Sequence, residues 1–277
     1  MPELPDLQYL VKNLSHMICG TTVTSVKVSE PIVIRMVVPK SFEQALAGEQ
    51  FVQVVRHGPF INFKMTTVEL IVHAMLAGRY HLEQQSAKKM RGECFAIYLD
   101  DGRILHYSDT RRMGKAYVTQ HGAYDSIPGY LTQGVNIVAQ EFTLPVFRAM
   151  ISKTRKQVRV FLMDQTSLSA IGNAYADEIL FSAGIHPKTF CNKLTRHDSD
   201  RLYACIGNTI QWGIEKVEAA GQPLEVKVRE HMRVRGRKGM PCPNCAATIR
   251  REQVYGYDTY FCPTCQPATR KQFITWS

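Results

Sequence analysis

Four cysteines near the C-terminal end constrain this chain more than any other feature. Cys242, Cys245, Cys262 and Cys265 form a C-x2-C-x16-C-x2-C array. Each C-x-x-C turn presents two sulfurs to one ion, so four thiols at this spacing predict a tetrahedral structural site for one Zn2+. Two disulfides are the competing arrangement, which a reducing compartment disfavours. A segment this short cannot bury a core of its own, so its loops and strands need the metal to fold. The other four cysteines, Cys19, Cys94, Cys191 and Cys205, are scattered and read as small buried apolar residues.

The remaining length, out of 277 residues, leaves room for one large domain or two modest ones. With 45% hydrophobic and 21% charged residues, the composition excludes a disordered or fibrous chain. Apolar runs such as Leu70 to Leu76 are interrupted by His73 and are too short to span a bilayer. The opening MPELPDLQYL lacks the charged-then-apolar layout of a signal peptide. No membrane association is expected, and the protein is expected in the cytoplasm, on the nucleoid if bacterial. The formal charge of +10 makes polyanions the expected partners. That charge is uneven: residues 1 to 150 hold 15 basic against 13 acidic side chains, and the rest hold 19 against 11. Val226 to Arg251 alone carries eight basic residues, with Glu230 as its one acid.

Asp6 to Met17 has helical spacing of Leu7, Leu10, Val11 and Leu14 and stops before Gly20. From Thr22 to about Tyr117 the β-branched and aromatic runs VTSVKV, PIVIRMVV, FVQVVRHGPFINFKM, ELIVHAML, CFAIYLDDGRILHYSD and KAYVT alternate with turn signals, which predicts an antiparallel sandwich or barrel. Pro128, Gly129 and Gly134 give residues 123–136 a linker composition. Helices are expected over Leu144 to Ser152, Val158 to Met163, Ala174 to Ala183 and Leu202 to Ala219. The whole reads as an α+β multidomain chain: an N-terminal helix with β-sandwich over 1–122, a linker over 123–136, a helical domain over 137–225 and a zinc ribbon over 226–277.

Pro2 is a candidate nucleophile, because removal of Met1 would leave a secondary amine at the chain start. An α-amino group has a pKa near ~7.7 to 8.0, so a sizeable neutral fraction exists at physiological pH and can attack an electrophilic carbon. Glu3 stands beside it to give or take a proton. While Met1 stays attached, the Pro2 nitrogen is a tertiary amide and this chemistry stops.

Taken together, MPELPD, YSDTRRMGK (Tyr107 to Lys115), IGNAYADEILFSAGIHP (Ile171 to Pro187) and PCPNC...FCPTCQ resemble the formamidopyrimidine-DNA glycosylase and endonuclease VIII family, in the right order along the chain. The resemblance implies an N-terminal β-sandwich, a helix-two-turns-helix module and a zinc ribbon. It also implies base excision from damaged double-stranded DNA by a monomer: the lesion nucleotide is flipped out, Pro2 attacks C1′, Glu3 assists sugar-ring opening, and elimination breaks the strand. By the same resemblance Asn173 and His73 touch phosphates, Arg112 grips the backbone, and Leu76, Arg111 and Met113 fill the void left by the extruded base.

The chain departs from that pattern in four places. Pro59, in Arg56-His57-Gly58-Pro59-Phe60, stands where the family has a lysine, and Tyr257 stands where the zinc ribbon has an arginine linked to the second elimination. Only twelve residues separate Gly221 from Val234, where oxidised-purine enzymes carry a longer loop, and Asp6 replaces a glutamate. The expectation is therefore a DNA glycosylase whose strand cleavage, by β or β and δ elimination, is weakened or altered. The alternative is a catalytically attenuated protein that reads lesions or abasic sites and binds them without turnover.

Overall fold

The structure is a computed structural model and describes residues 1–84 and 90–268. By its contacts the chain divides into two compact units, Met1–Thr132 with Val217–Val228, and Gln133–Lys216 with the residues from Arg229 onward.

The first unit starts with α1 (Leu4–Ile18), whose buried Leu7, Leu10, Leu14 and Ile18 form one face. Its strands are β1 (Val23–Val28), β2 (Ile34–Met36), β3 (Phe51–His57), β4 (Phe60–Met65), β5 (Val68–His73), β6 (Arg79–Gln84), β7 (Glu93–Leu99), β8 (Arg103–Ser108) and β9 (Lys115–Gln120), with a short α2 (Phe42–Leu46) between β2 and β3. They form a four-stranded sheet ordered β1-β7-β8-β6 and a five-stranded sheet ordered β2-β9-β5-β4-β3. All pairings are antiparallel except β2 on β9. Phe63 of β4 meets Tyr80 of β6 with ring centroids 5.8 Å apart, joining the two sheets face to face. The arrangement is a sandwich, one of the two architectures the strand spacing allows.

Three local differences from the sequence reading have physical causes. PIVIRMVV is not one strand: Pro31 has no N–H to give a ladder, so Pro31–Val33 coils into a 3-10 turn and only Ile34–Met36 pairs. β6, RYHLEQ, is too polar to announce itself, yet it pairs along its whole length with β8. Residues 123–136, a linker by composition, begin with packed structure: Ile127 and Tyr130 join a buried cluster with Phe60, Ile71 and Tyr117.

The second unit holds α3 (Leu144–Ser152), α4 (Val158–Met163), α5 (Asn173–Ala183) and the hairpin β10 (Arg250–Val254) with β11 (Tyr257–Phe261); α6 (Arg196–Ala220) belongs to it up to Lys216. Two buried acids of α5 fasten it to the cysteine-rich segment. Glu178 accepts the backbone N–H groups of Arg233, Val234 and Arg235 at 2.9 to 3.1 Å. Asp177 accepts from Arg159, Arg235, the Thr259 hydroxyl and the Tyr260 N–H. Phe181 packs with Val234, Cys242, Ile249 and Cys262 to complete this junction. Among the described residues no helix is long and apolar enough to cross a membrane.

Candidate active site

Pro2 and Glu3 are buried at the start of α1, Glu3 at 4% exposure. Asp6, one turn in, accepts the Glu3 backbone N–H at 2.8 Å, so the shorter side chain at this position still caps the helix. Pro2 lines a cleft together with Asp6, Tyr9, Leu10, Gly78, Arg79, Val217 and the run Leu224 to Lys227. The segment after α6 thus forms a wall of this cleft. The Met1 ammonium, one residue before Pro2, is held down from 8.0 to about 5, first by burial and next by the Lys227 ammonium, against the opposing pull of Glu3.

Two loops carry most of the remaining expected residues of this unit, and Tyr107 sets their spacing. A Cβ on Gly78 would lie 2.3 Å, and one on Gly114 2.0 Å, from the Tyr107 hydroxyl, so both glycines are steric requirements. Asp109, itself buried, shapes the second loop by accepting the N–H groups of Arg111 at 2.9 Å and Gly114 at 2.6 Å. Met75 and Arg112 adopt left-handed backbone at φ 45° and 53°, an arrangement that non-glycine residues hold only where the surroundings enforce it. Beside them Leu76 and Met113 are 45% and 38% exposed, so neither is a core residue. Arg111 is exposed, and the exposed Arg112 pairs with Glu30 at 2.8 Å.

His73 ends β5 with its ring edge-on to Phe60, and its Nδ1 accepts the Met75 N–H at 3.1 Å. Burial, with a smaller push from the nearby chain terminus, holds its pKa down to about 4. The ring is therefore neutral at physiological pH, and an occupied Nδ1 leaves the proton on Nε2, a donor. In the second unit Asn173 opens α5, and its Oδ1 accepts from the buried Arg159 at 2.9 Å. That bond engages the amide oxygen, so the NH2 is the group this side chain has to donate.

Of the two departures in charge, Pro59 is buried in the β3–β4 turn after Gly58, which sits at φ 52°. Tyr257 opens β11 at 55% exposure. Arg251, across the hairpin, is committed to Asp258 at 2.7 Å.

The four sulfurs of Cys242, Cys245, Cys262 and Cys265 lie within 4.8 Å of one another. Sulfur pairs at 3.5 and 3.8 Å are far beyond the ~2.05 Å of a disulfide and match the ~3.8 Å edge of a tetrahedron with ~2.3 Å Zn–S bonds. Backbone N–H groups of Asn244 and Cys265 point at Cys242 and Cys262 sulfurs, both at 3.4 Å, as metal-bound thiolates require. The site holds one structural zinc.

Four residues carry no functional signal in the sequence. Arg79 lies in β6, whose polar pattern hid the strand, and Lys227 was read as one of a basic cluster; chain spacing carries no signal that either returns to the N-terminus. Asp177 and Glu178, within IGNAYADE, have no local pattern that marks them as the buried fasteners they are.

A β-sandwich with the start of the chain buried in a cleft, a helical unit bearing a four-cysteine zinc finger, and a net charge of +10 define a zinc-finger protein equipped to act on a polyanion. Residues 1–116 match the model for the formamidopyrimidine-DNA glycosylase N-terminal domain, 134–222 the H2TH domain of the same enzymes, and 239–268 the zinc finger found in FPG and IleRS. Formamidopyrimidine-DNA glycosylases of Bacillus subtilis and Shouchella clausii are 31% and 30% identical to it, each over 96% of this chain and 99% of the relative. The Lactococcus lactis Fpg, solved with DNA containing an abasic site, superposes with a TM-score of 0.86 at 26% identity, covering 96% of this chain and 100% of that one. The Thermus thermophilus protein gives 0.84 at 28% identity, over 96% and 98%. The chain belongs to the formamidopyrimidine-DNA glycosylase family.

Proposed function

We propose that this enzyme, a base-excision-repair DNA glycosylase, works through Pro2 once Met1 has been removed. The observation that carries the reading is the cleft: Pro2 is buried in its lining, with the buried Glu3 carboxyl next in the chain, and the Met1 amino group just before it is held below its ordinary pKa by burial. A neutral secondary amine has the lone pair that attack on C1′ needs. As the C1′–N bond breaks, the base leaves with the electron pair. The Glu3 carboxylate takes the proton that the Pro2 nitrogen sheds on bonding to C1′ and passes it to the ring oxygen, which opens the sugar, and the restored nitrogen lone pair completes a cationic iminium, while the departed base takes its proton from water. Loss of the C2′ proton then expels the 3′ phosphate by β elimination.

The remaining roles follow the exposure and orientation of each group. Leu76, Arg111 and Met113, on the two loops set by Tyr107, fill the space of the extruded base. Such wedges offset an unstacking cost of a few kcal/mol. His73 offers Nε2–H and Asn173 its NH2 to phosphates, and Arg112 exchanges Glu30 for the backbone. Pro59 and Tyr257 offer no charge to a phosphate, so strand cleavage is slow relative to base release. Substrates are lesions of the kind named for the Lactococcus lactis complexes: abasic sites, oxidised pyrimidines and N7-benzyl-Fapy-dG. The enzyme acts as a single chain.

Borohydride trapping tests this. Chain beginning at Pro2 should give a covalent adduct with an abasic or Fapy duplex, Pro2→Gly should give a weaker one, and Glu3→Gln should release no base. Reading the same reactions with and without alkali separates base release from nicking. Absence of any adduct with the wild-type chain on every lesion would end the iminium route.

A further inference from the structure

We infer that Lys227 is a positioning residue for the terminal amine: the segment after α6 carries its ammonium into the Pro2 cleft, where it disfavours a second positive charge on the nucleophile.

Three contacts within the first unit bring this lysine to the N-terminus. The Tyr9 hydroxyl donates to the Gln222 carbonyl at 2.6 Å, and Lys12 pairs with Glu218 at 3.1 Å, both from α1. His81 of β6 stands 3.5 Å from the Glu225 carboxylate. Val217 and Val228, at the two ends of the segment, are buried. Between those anchors Leu224 to Lys227 faces Gly78, Arg79 and the start of α1 across the cleft.

Lys227 is half-buried there, shares the cleft lining with Pro2, and its ammonium also acts on the Met1 amino group one residue before Pro2. The charged and titratable groups around the start of the chain are Glu3 at the cap of α1, Asp6 and Tyr9 within it, His73 of β5, Arg79 of β6, and Glu225 and Lys227 of the segment itself. Glu3 favours the ammonium, and Asp6 is engaged with the Glu3 N–H. His73 is neutral at physiological pH. Of the cations, Lys227 acts more strongly than Arg79. Two like charges in a partly desolvated cleft repel, and the amine is the group that can shed its proton at neutral pH. With Pro2 itself buried, the same environment acts on its nitrogen once Met1 is gone. Attack consumes the amine lone pair, so the fraction of unprotonated Pro2 scales the rate on the acid side of the pH profile.

This rests on the Pro2 reading, and the experiment separates the two. Chain beginning at Pro2, released by cleavage of a fused leader, is trapped with borohydride on an abasic-site duplex from pH 5 to 9. Wild type, Lys227→Gln, Lys227→Met and Lys227→Arg are compared at saturating DNA. The neutral substitutions should move the acid limb to higher pH, costing about tenfold in trapping rate at pH 6 for each unit moved, with wild-type rates regained above pH 8. Lys227→Arg should keep the wild-type limb. An unmoved limb, or an equal loss at every pH, overturns the assignment of Lys227 while leaving Pro2 in place. No adduct from wild type at any pH overturns Pro2 as nucleophile and this inference with it.

Discussion

Gly114 and Gly78 show how much of the site depends on single atoms that are absent. Each backs onto the Tyr107 hydroxyl, where a Cβ would intrude to 2.0 and 2.3 Å. The hydroxyl belongs to a fully buried ring stacked on Phe95 at 5.1 Å, so it cannot swing away. Gly114→Ala should therefore displace the 109–114 loop and destabilise the fold by about 1–3 kcal/mol, the usual cost of overpacking. Tyr107→Phe removes the clashing oxygen, and in that background the alanine should cost clearly less. Thermal unfolding of the two single variants and the double variant measures the coupling. Strict additivity would show that Tyr107 does not set the loop.

At the scale of elements, α5 bears on both the fold and the proposed site. It presents Asn173 at its first residue and sinks Asp177 and Glu178 into the junction with the zinc finger. Glu178→Ala would leave three backbone N–H groups and the Arg233 guanidinium without their acceptor. A buried donor left without its acceptor costs about 1–3 kcal/mol, and three backbone N–H groups lose theirs here, so the melting temperature should fall by several degrees or more. A variant melting like wild type would show that Glu178 is not holding the junction.

The sequence made α5 legible as a helix, because Gly172 and Gly184 bracket an apolar-rich run, and it made the four zinc ligands legible through their spacing. It left the acids of α5 ambiguous, since an Asp-Glu pair reads equally as a solvated face. β6 stayed hidden because Arg79, His81 and Glu83 interrupt any alternation. The packing of Ile127 and Tyr130 was masked by the prolines and glycines around them. The cleft was half legible: Pro2 and Glu3 are adjacent in the chain and carry their chemistry locally. Arg79 and Lys227 reach them only through the tertiary fold, across gaps that no pattern rule bridges.

For the molecule as a whole, the separation of charge from hydrogen bonding predicts how DNA binding responds to salt. The proposed phosphate partners are of two kinds. His73, with a pKa near 4, and Asn173 are neutral donors, and Arg112 is a cation. Only a cation displaces condensed counterions from DNA, so only cations add to the slope of log K against log salt, by about 0.9 each. Asn173→Ala and His73→Ala should therefore weaken binding to an abasic duplex by a similar factor at every salt concentration, leaving the slope unchanged. Arg112→Ala should lower the slope by close to one unit, less whatever the released Glu30 contributes through repulsion of the backbone. The chain's excess of ten positive charges keeps the wild-type slope steep, which makes a change of one unit measurable by titration between ~50 and ~200 mM salt. A flattened slope in Asn173→Ala would mean that this residue reaches DNA through a charged neighbour, with Arg159 the group directly behind it.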